Sequence, residues 1–351
     1  MDLKIKAYLA IDTENAICPI PIIRINESMH KLQVGQILKV TTRDSTVKSD
    51  ISSWAERTGN EVLKVEDSKT TYIFYIRKGL KKIDSNIDEE LQMSVKQVQH
   101  LRFFLNENNP SRIKSNVALE VPIRLTINKS ELITLLCTPT HLSELAVGYL
   151  LDEGIIDRIE QIRKVSIDGI EIAVEADIDT EKRVIQKDRT YISSECVSVD
   201  HYLALNNVNN LKQVDTDFKI SMPELTKIVK EFNMKKRYEL TGGIHSAAIF
   251  ENSVLKHYLL DVSRHCAVDK VIGASAKDNT DFSHSVIVTS GRQPAGIILK
   301  AAQLNIPVSV SMRGPIYSGI IAAEKTGVTL IGYASSNKVD VYSNPERIEL
   351  K

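Results

Sequence analysis

Short apolar runs alternate with helical patterns through the last third of the chain, and this alternation narrows the fold more than any other feature. The runs are His257–Val262, Val286–Val288, Pro307–Val310 and Val328–Gly332, and the helical patterns fall near 265–276, 293–304 and 316–325. Strands separated by helices are expected to lie parallel, since a parallel neighbour is reached only through a long crossover. An α/β layer structure follows. The connecting loops are rich in Gly, Arg and His: Leu240-Thr241-Gly242-Gly243-Ile244-His245, Asp261-Val262-Ser263-Arg264-His265, Ser290-Gly291-Arg292 and Arg313-Gly314-Pro315. In open α/β sheets, ligands bind where such loops gather at the carboxyl ends of strands. Three arginines among glycines there point to an anionic, phosphate-bearing ligand. The plainer alternative is a set of surface turns with solvated arginines.

Upstream, the pattern is antiparallel. Val121–Ile127 and Glu131–Cys137 read as a hairpin, and a helix is expected from about Thr140 to Glu153, closed by Gly154. Two further strands, near Lys164–Ile167 and Glu171–Ala176, flank Asp168-Gly169, a strong hairpin signal. A polar loop, Thr190 to Asp200, carries Cys196 ahead of a helix from about Met222 to Phe232. Before all of this, residues 79–110 are rich in Lys, Asp, Glu, Gln and Asn. Within them Ile87, Leu91, Val95, Val98 and Leu101 recur every three or four residues. That spacing predicts an amphipathic helix inside a linker.

Near the N-terminus, Cys18 lies in Ala16-Ile17-Cys18-Pro19-Ile20-Pro21-Ile22-Ile23-Arg24. Proline fits the first turn of a helix, and Ile22, Ile25, Met29 and Leu32 continue at helical spacing. Cys18 then falls at the helix mouth, where free N–H groups and the helix dipole favour thiolate over thiol. The alternative is a small buried hydrophobe.

At 351 residues, with 42% hydrophobic and 26% charged, the chain suits two or three globular domains. Lys plus Arg and Asp plus Glu balance at 45 each, which gives no sign of a nucleic-acid or membrane-surface partner. There is no apolar signal region and no run of about 18 apolar residues, so a cytoplasmic protein is expected. Cysteines stand at 18, 137, 196 and 266 without a Cys-x-x-Cys pair, arguing against a disulfide scaffold or zinc ribbon. No bound metal is expected.

Residues 5–77 resemble the TusA family of sulfur carriers, whose signature is Cys-Pro-x-Pro after an Asp-x-x-Gly lead-in. Here Asp12 is present and Asn15 replaces the glycine; Val34-Gly35, Asp44, Gly59-Asn60-Glu61 and the strand Thr71–Arg77 follow in the family's order. The resemblance implies a small β-α-β-α-β-β two-layer sandwich over residues 1–78, with Cys18 carrying a persulfide. Residues from about 115 to 335 resemble the FdhD family of formate dehydrogenase accessory sulfurtransferases. The matching stretches are Thr138-Pro139, Glu144–Leu150, Glu153–Ile156, Leu240–Ala248, Asp261 with Arg264-His265, Ala267–Lys270, and Ser290-Gly291-Arg292. This implies, over residues 111–351, a cytidine-deaminase-like α/β domain with an antiparallel β-rich lead-in. It also implies a homodimer.

The second resemblance implies binding of the molybdenum cofactor in its bis-guanine-dinucleotide form. Gly242, Gly243, His245, Arg264, His265, Ser290, Gly291 and Arg292 become the expected binding residues, and Cys196 the delivering thiol. A cysteine desulfurase and formate dehydrogenase, or a related molybdenum or tungsten enzyme, become the expected partners. Three departures stand out, the first being Gly314-Pro315-Ile316-Tyr317 where the family has Ala-Pro-Thr-Ser. Ser193-Ser194-Glu195-Cys196 keeps the first cysteine of the family's Cys-Gly-x-Cys loop, but Val199 takes the place of the second. The family's Gly-Arg-His-Asn run is Ser263-Arg264-His265-Cys266 here. His265 is alternatively a structural residue of a helix start, Cys137 is expected in the core, and Cys266 is either packing or a ligand. A cofactor carrier without sulfur chemistry remains open, as does a sulfur or selenium carrier whose second domain binds an unrelated nucleotide.

Overall fold

The computed structural model describes residues 5–13, 24–25, 28–29, 31–43, 51, 55, 60–68, 71–79, 94–103, 110–185, 211–236, 241–335 and 337–350. Cys18 and Cys196 lie outside the described residues. The chain divides into two compact units, Met1–Asp88 and Glu89–Lys351.

The first unit holds strands β1 (Leu9–Asp12), β2 (Ile37–Thr42), β3 (Glu61–Ser68) and β4 (Thr71–Arg77), in the sheet order β1-β2-β4-β3. β1 and β2 are parallel, and β4 is antiparallel to both β2 and β3. Ile25 and Met29 lie between β1 and β2, and Ile51 and Ala55 between β2 and β3; all four are helical and four residues apart in each pair. That spacing puts each pair on one helix face. They bury against Leu38, Val40, Phe74 and Ile76, the inward residues of β2 and β4. The described residues thus run strand, helix, strand, helix, strand, strand. Lys78 donates to the carbonyls of Met29 (2.8 Å) and Leu32 (2.5 Å), supplying partners to backbone acceptors of that stretch.

In the second unit, β5 (Val95–Arg102) pairs antiparallel with β6 (Ser111–Ala118) as a two-stranded ribbon. This corrects the helix expected from the spacing of Val95, Val98 and Leu101. A period of three is compatible with either state over so short a run. Here a strand partner supplies backbone hydrogen bonds that no local pattern announces. A four-stranded sheet follows, with β7 (Val121–Ile127), β8 (Ser130–Cys137), β9 (Ile162–Asp168) and β10 (Glu171–Ala176) in the order β8-β7-β10-β9. Its hairpins turn at Asn128-Lys129, both at positive φ, and at Gly169. Helix α1 (Leu142–Asp152) packs its Leu145, Tyr149 and Leu150 into this sheet's core.

After β11 (Ile220–Ser221) and helix α2 (Met222–Lys236), the chain builds its largest sheet. The strands are β12 (His245–Glu251), β13 (Val254–Asp261), β14 (Ser285–Thr289), β15 (Val308–Ser311), β16 (Thr329–Gly332) and β17 (Asp340–Val341). Helices α3 (Arg264–Lys277), α4 (Ala295–Gln303) and α5 (Tyr317–Thr326) separate them, and β18 (Ile348–Glu349) pairs with β11. The order is β13-β12-β14-β15-β16-β17, with β14, β15 and β16 parallel. The expectation of parallel strands holds for β14, β15 and β16 and is corrected on either side of them, where β12 and β17 run against their neighbours. The run at His257–Val262 belongs to β13, which hairpins with β12 and is antiparallel to it. Asn252-Ser253, both at positive φ, make that tight turn. Phe250, Val286, Val288, Val308 and Val310 pack on α2, while Ala247, Ile249 and Ile287 pack on α3 and α4. With helices on both faces, β14 and β15 are buried at every residue.

Two features join the helices. At the crossing of α1 and α3, a Cβ on Gly148 would collide with the carbonyl of Asp269, and one on Gly273 with the carbonyl of Glu144. Beside it, Lys300 of α4 reaches Asp152 (2.6 Å), Asp269 (2.9 Å) and Glu153 (3.0 Å), with the Tyr149 ring 5.2 Å away.

Candidate functional site

One end of the large sheet collects the loops singled out in the sequence. β12 is antiparallel to β13 and β14, so its first residue, His245, lies beside the last residue of β13, Asp261. The carboxyl ends of β14 and β15 point the same way, which brings Ser290-Gly291-Arg292 and Arg313 to that edge. Ser290 Oγ accepts from the Ser246 N–H at 2.9 Å and sits 3.4 Å from His245 Nδ1. The Gly291 carbonyl accepts from Thr289 Oγ1 (3.3 Å) and Ser311 Oγ (2.6 Å), and Ser311 Oγ accepts the Arg313 N–H at 2.9 Å. These bonds fasten the ends of β14 and β15 to each other.

Gly291 sits in a close approach between Arg264 and His245. A Cβ there would come within 3.1 Å of Arg264 Cβ and 3.2 Å of His245 Nδ1. Arg264 opens α3, capped by Ser263, whose Oγ accepts the Cys266 N–H at 3.5 Å. Below it lies a buried tie. Asp261 accepts from the N–H groups of Ser263 (2.7 Å) and Thr138 (3.2 Å) and pairs with Lys270 at 2.7 Å. Lys270 also donates to the Thr138 carbonyl (2.8 Å) and Thr140 Oγ1 (3.3 Å). Burial pushes the Asp261 carboxyl up, while Lys270 and the two N–H donors pull it back. The start of α3 is thereby fixed to both β13 and the loop after β8.

The electrostatics are strongly one-sided. Burial first, then the charges of Arg264, Lys236, Arg292 and Arg313, hold the His245 imidazole below its ordinary value. Its neutral form is favoured until an anion arrives. Four cations about one neutral ring are able to bind phosphate oxygens by charge-assisted hydrogen bonds.

Among the residues expected from sequence, His245, Arg264, Ser290, Gly291 and Arg292 come together here. Gly242 and Gly243 are exposed and lead into β12, with Gly243 beside Ala118 at the base of the ribbon. His265 is buried in the first turn of α3. Cys137 and Cys266 are buried in one core cluster. A hydrogen bond to Cys137, followed by burial, pushes the Cys266 thiol well above the ordinary range, so the protonated form is favoured and nucleophilic character is low. Arg313 and Lys236 were absent from the expected binding residues. Arg313 stood in a strand-end loop of the sequence, whereas Lys236 ends a helix remote in sequence and carried no signal.

The FdhD/NarQ family pattern matches residues 118–349. The chain belongs to the FdhD/NarQ family. The TusA sulfurtransferase pattern matches residues 10–78, so a TusA-like segment is fused ahead of the FdhD/NarQ region. The sulfur carrier protein FdhD of Shouchella clausii is 34% identical over 249 residues, covering 69% of this chain and 93% of that protein. Its counterpart in Bacillus subtilis is 31% identical over 241 residues, covering 68% and 92%. A crystal structure from Desulfotalea psychrophila, of a protein described as a formate dehydrogenase accessory protein, aligns with a TM-score of 0.61 at 23% identity. It covers 73% of this chain and the whole of that one, which establishes a shared fold for the FdhD/NarQ region. Among the described residues, no helix is long and apolar enough to cross a membrane.

Proposed function

We propose that this chain is a sulfurtransferase that relays persulfide sulfur from a cysteine desulfurase through Cys18 and Cys196. The acceptor is the molybdenum or tungsten cofactor of formate dehydrogenase or a related enzyme. The observation that carries the reading is the gathering of Arg264, Arg292 and Arg313 at the strand ends, with Arg264 and His245 both against Gly291. The residues present fit the anionic ends of a bis-guanine-dinucleotide cofactor, held as substrate. They offer excess positive charge, and at Gly291 a backbone without the Cβ that would crowd Arg264. The relatives named as sulfur carriers, and the TusA pattern ahead of them, support sulfur as the cargo.

The exchange between the two cysteines balances with no oxidant or reductant. The Cys196 thiolate attacks the outer sulfur of the Cys18 persulfide, the S–S bond breaks, and Cys18 leaves as thiolate. Fusion of the two carriers makes this step intramolecular, at an effective concentration of order mM when the tether spans the gap. The reading includes a cytoplasmic homodimer and a cytidine-deaminase-like large sheet, as in the family.

The test is peptide mass mapping of the full chain after incubation with a cysteine desulfurase and cysteine. Cys18 and Cys196 are each expected to gain the mass of one sulfur atom. No added sulfur on either would leave a cofactor carrier without sulfur chemistry, the reading that Val199 in place of a second loop thiol favours. The anion site is tested by calorimetry with GDP. Arg292→Ala or Arg264→Ala should cost about 1.5–3 kcal/mol of binding, roughly ten- to hundred-fold. Unchanged affinity in both variants would remove these arginines from the site.

A further inference from the structure

Strands β5 and β6 form a ribbon that stands apart from the rest of its unit. They pair with each other from Val95↔Ala118 to Arg102↔Ser111, and among the described residues no other element of the unit packs along either strand. Two strands alone are marginal in water, because a single ladder leaves both outer edges and both faces to the solvent. Most of the side chains are exposed, Leu101 and Val117 among them, as is Phe103 just beyond β5.

The ribbon also carries one sign of charge. Lys96, His100 and Arg102 lie on β5, Arg112 and Lys114 on β6, and neither strand contains an acidic residue. The chain as a whole balances at 45 charges of each sign, so the ribbon is a local excess. Elsewhere in the unit, exposed arginines are answered by carboxylates. Arg124 meets Glu171 (3.2 Å), Arg163 meets Asp177 (2.5 Å) and Arg183 meets Asp157 (2.5 Å). Lys96, Arg112 and Lys114 form no ion pair among the described residues. The register sends Lys96 and Arg102 to one face and Arg112 and Lys114 to the other. A strand laid along either edge alternates likewise, so its acidic side chains would meet cations on both faces. A second copy of the ribbon would instead set like charges against each other.

We propose that the β5–β6 ribbon is a docking edge for an extended acidic segment of a partner protein, which adds to it as a third strand. Backbone hydrogen bonds along the open edge supply the pairing, and Lys96, Arg112 and Lys114 select the sign of the partner. At the base of the ribbon, Ala118 Cβ lies 3.8 Å from where a Cβ on Gly243 would stand. A partner captured on the ribbon therefore arrives next to the loop that leads into β12 and the strand-end site. The proposal does not depend on sulfur as the cargo.

The test uses the full chain and a fluorescently labelled peptide of alternating Glu and Thr, as long as β5, read by anisotropy at low salt. A second peptide of equal charge carries proline at two of the Thr positions, which removes strand N–H donors and leaves the carboxylates in place. The first peptide is expected to bind and to slow hydrogen exchange in β5 and β6. The proline peptide should bind about ten-fold more weakly. The double variant Lys96→Glu/Arg112→Glu should lose at least as much for the first peptide while keeping the parent's melting temperature, since both side chains are exposed. Lys230→Glu, which alters an exposed lysine on α2, should change nothing. Equal binding of the two peptides would overturn the proposal, because the attraction would then be charge alone. So would binding of neither peptide, or a cross-link from Lys96 to a second copy of the chain. Tighter binding of a DNA duplex or of phosphatidylglycerol vesicles, lost in the double variant, would overturn it in favour of that partner.

Discussion

Lys270 and Lys300 are both sealed from water, yet the first faces one carboxylate and the second faces three. Around Lys270, charges balance, and Asp261 is further satisfied by two backbone donors. The pair ties the loop after β8 to the first turn of α3, directly beneath Arg264. Around Lys300, negative charge exceeds positive. Burial pushes the Asp152 carboxyl well up, and the neighbouring Asp269 and Glu153 carboxylates add to the push against the pull of Lys300. The first arrangement fixes geometry at a candidate ligand site, while the second joins three helices and favours retention of a proton.

The largest effect is expected at the crowded cluster. Lys300→Met leaves three carboxyl groups without their cation and should cost about 3–5 kcal/mol of stability in urea unfolding. Lys270→Met should cost somewhat less, about 3 kcal/mol, because Asp261 keeps its two N–H donors. Unlike the Lys300 variant, it should also weaken GDP binding, since the start of α3 loses its anchor. If Lys270→Met destabilised the fold but bound GDP normally, the contrast between the two lysines would collapse.

The smallest effect is expected from Asp152→Asn, and it depends on pH. A carboxyl raised above its ordinary value of 3.8 contributes full stability below that value and loses it as pH rises through its folded value. The asparagine variant should therefore match the parent near pH 4 and gain on it as pH rises. Unfolding curves that stayed parallel from pH 4 to pH 8 would show that the proton is held elsewhere in the cluster.

Much of the large sheet was legible in the sequence because its buried strands and helices differ in period and length. The strand-end glycines and arginines were legible for the same reason, since the alternation says where strands stop. Strand β5 was not, because Val95, Val98 and Leu101 satisfy either period and only the distant Ser111–Ala118 decides. Strand β12, which runs against both β13 and β14, was missed because an apolar run does not state its direction. Lys236, whose charge bears on His245, belongs to a helix remote in sequence from the strand-end loops.

The crossing at Gly148 and Gly273 has a mechanical consequence. With no side chain between the two backbones, α1 and α3 have no soft layer to absorb a shift between them. A ligand that pulled the first turn of α3 by Arg264 would carry α1 along as one lever, and with it the far end where Asp152 meets Lys300. An alanine at either glycine would pry that lever apart, separating what happens at the strand ends from what happens in the proton-holding cluster.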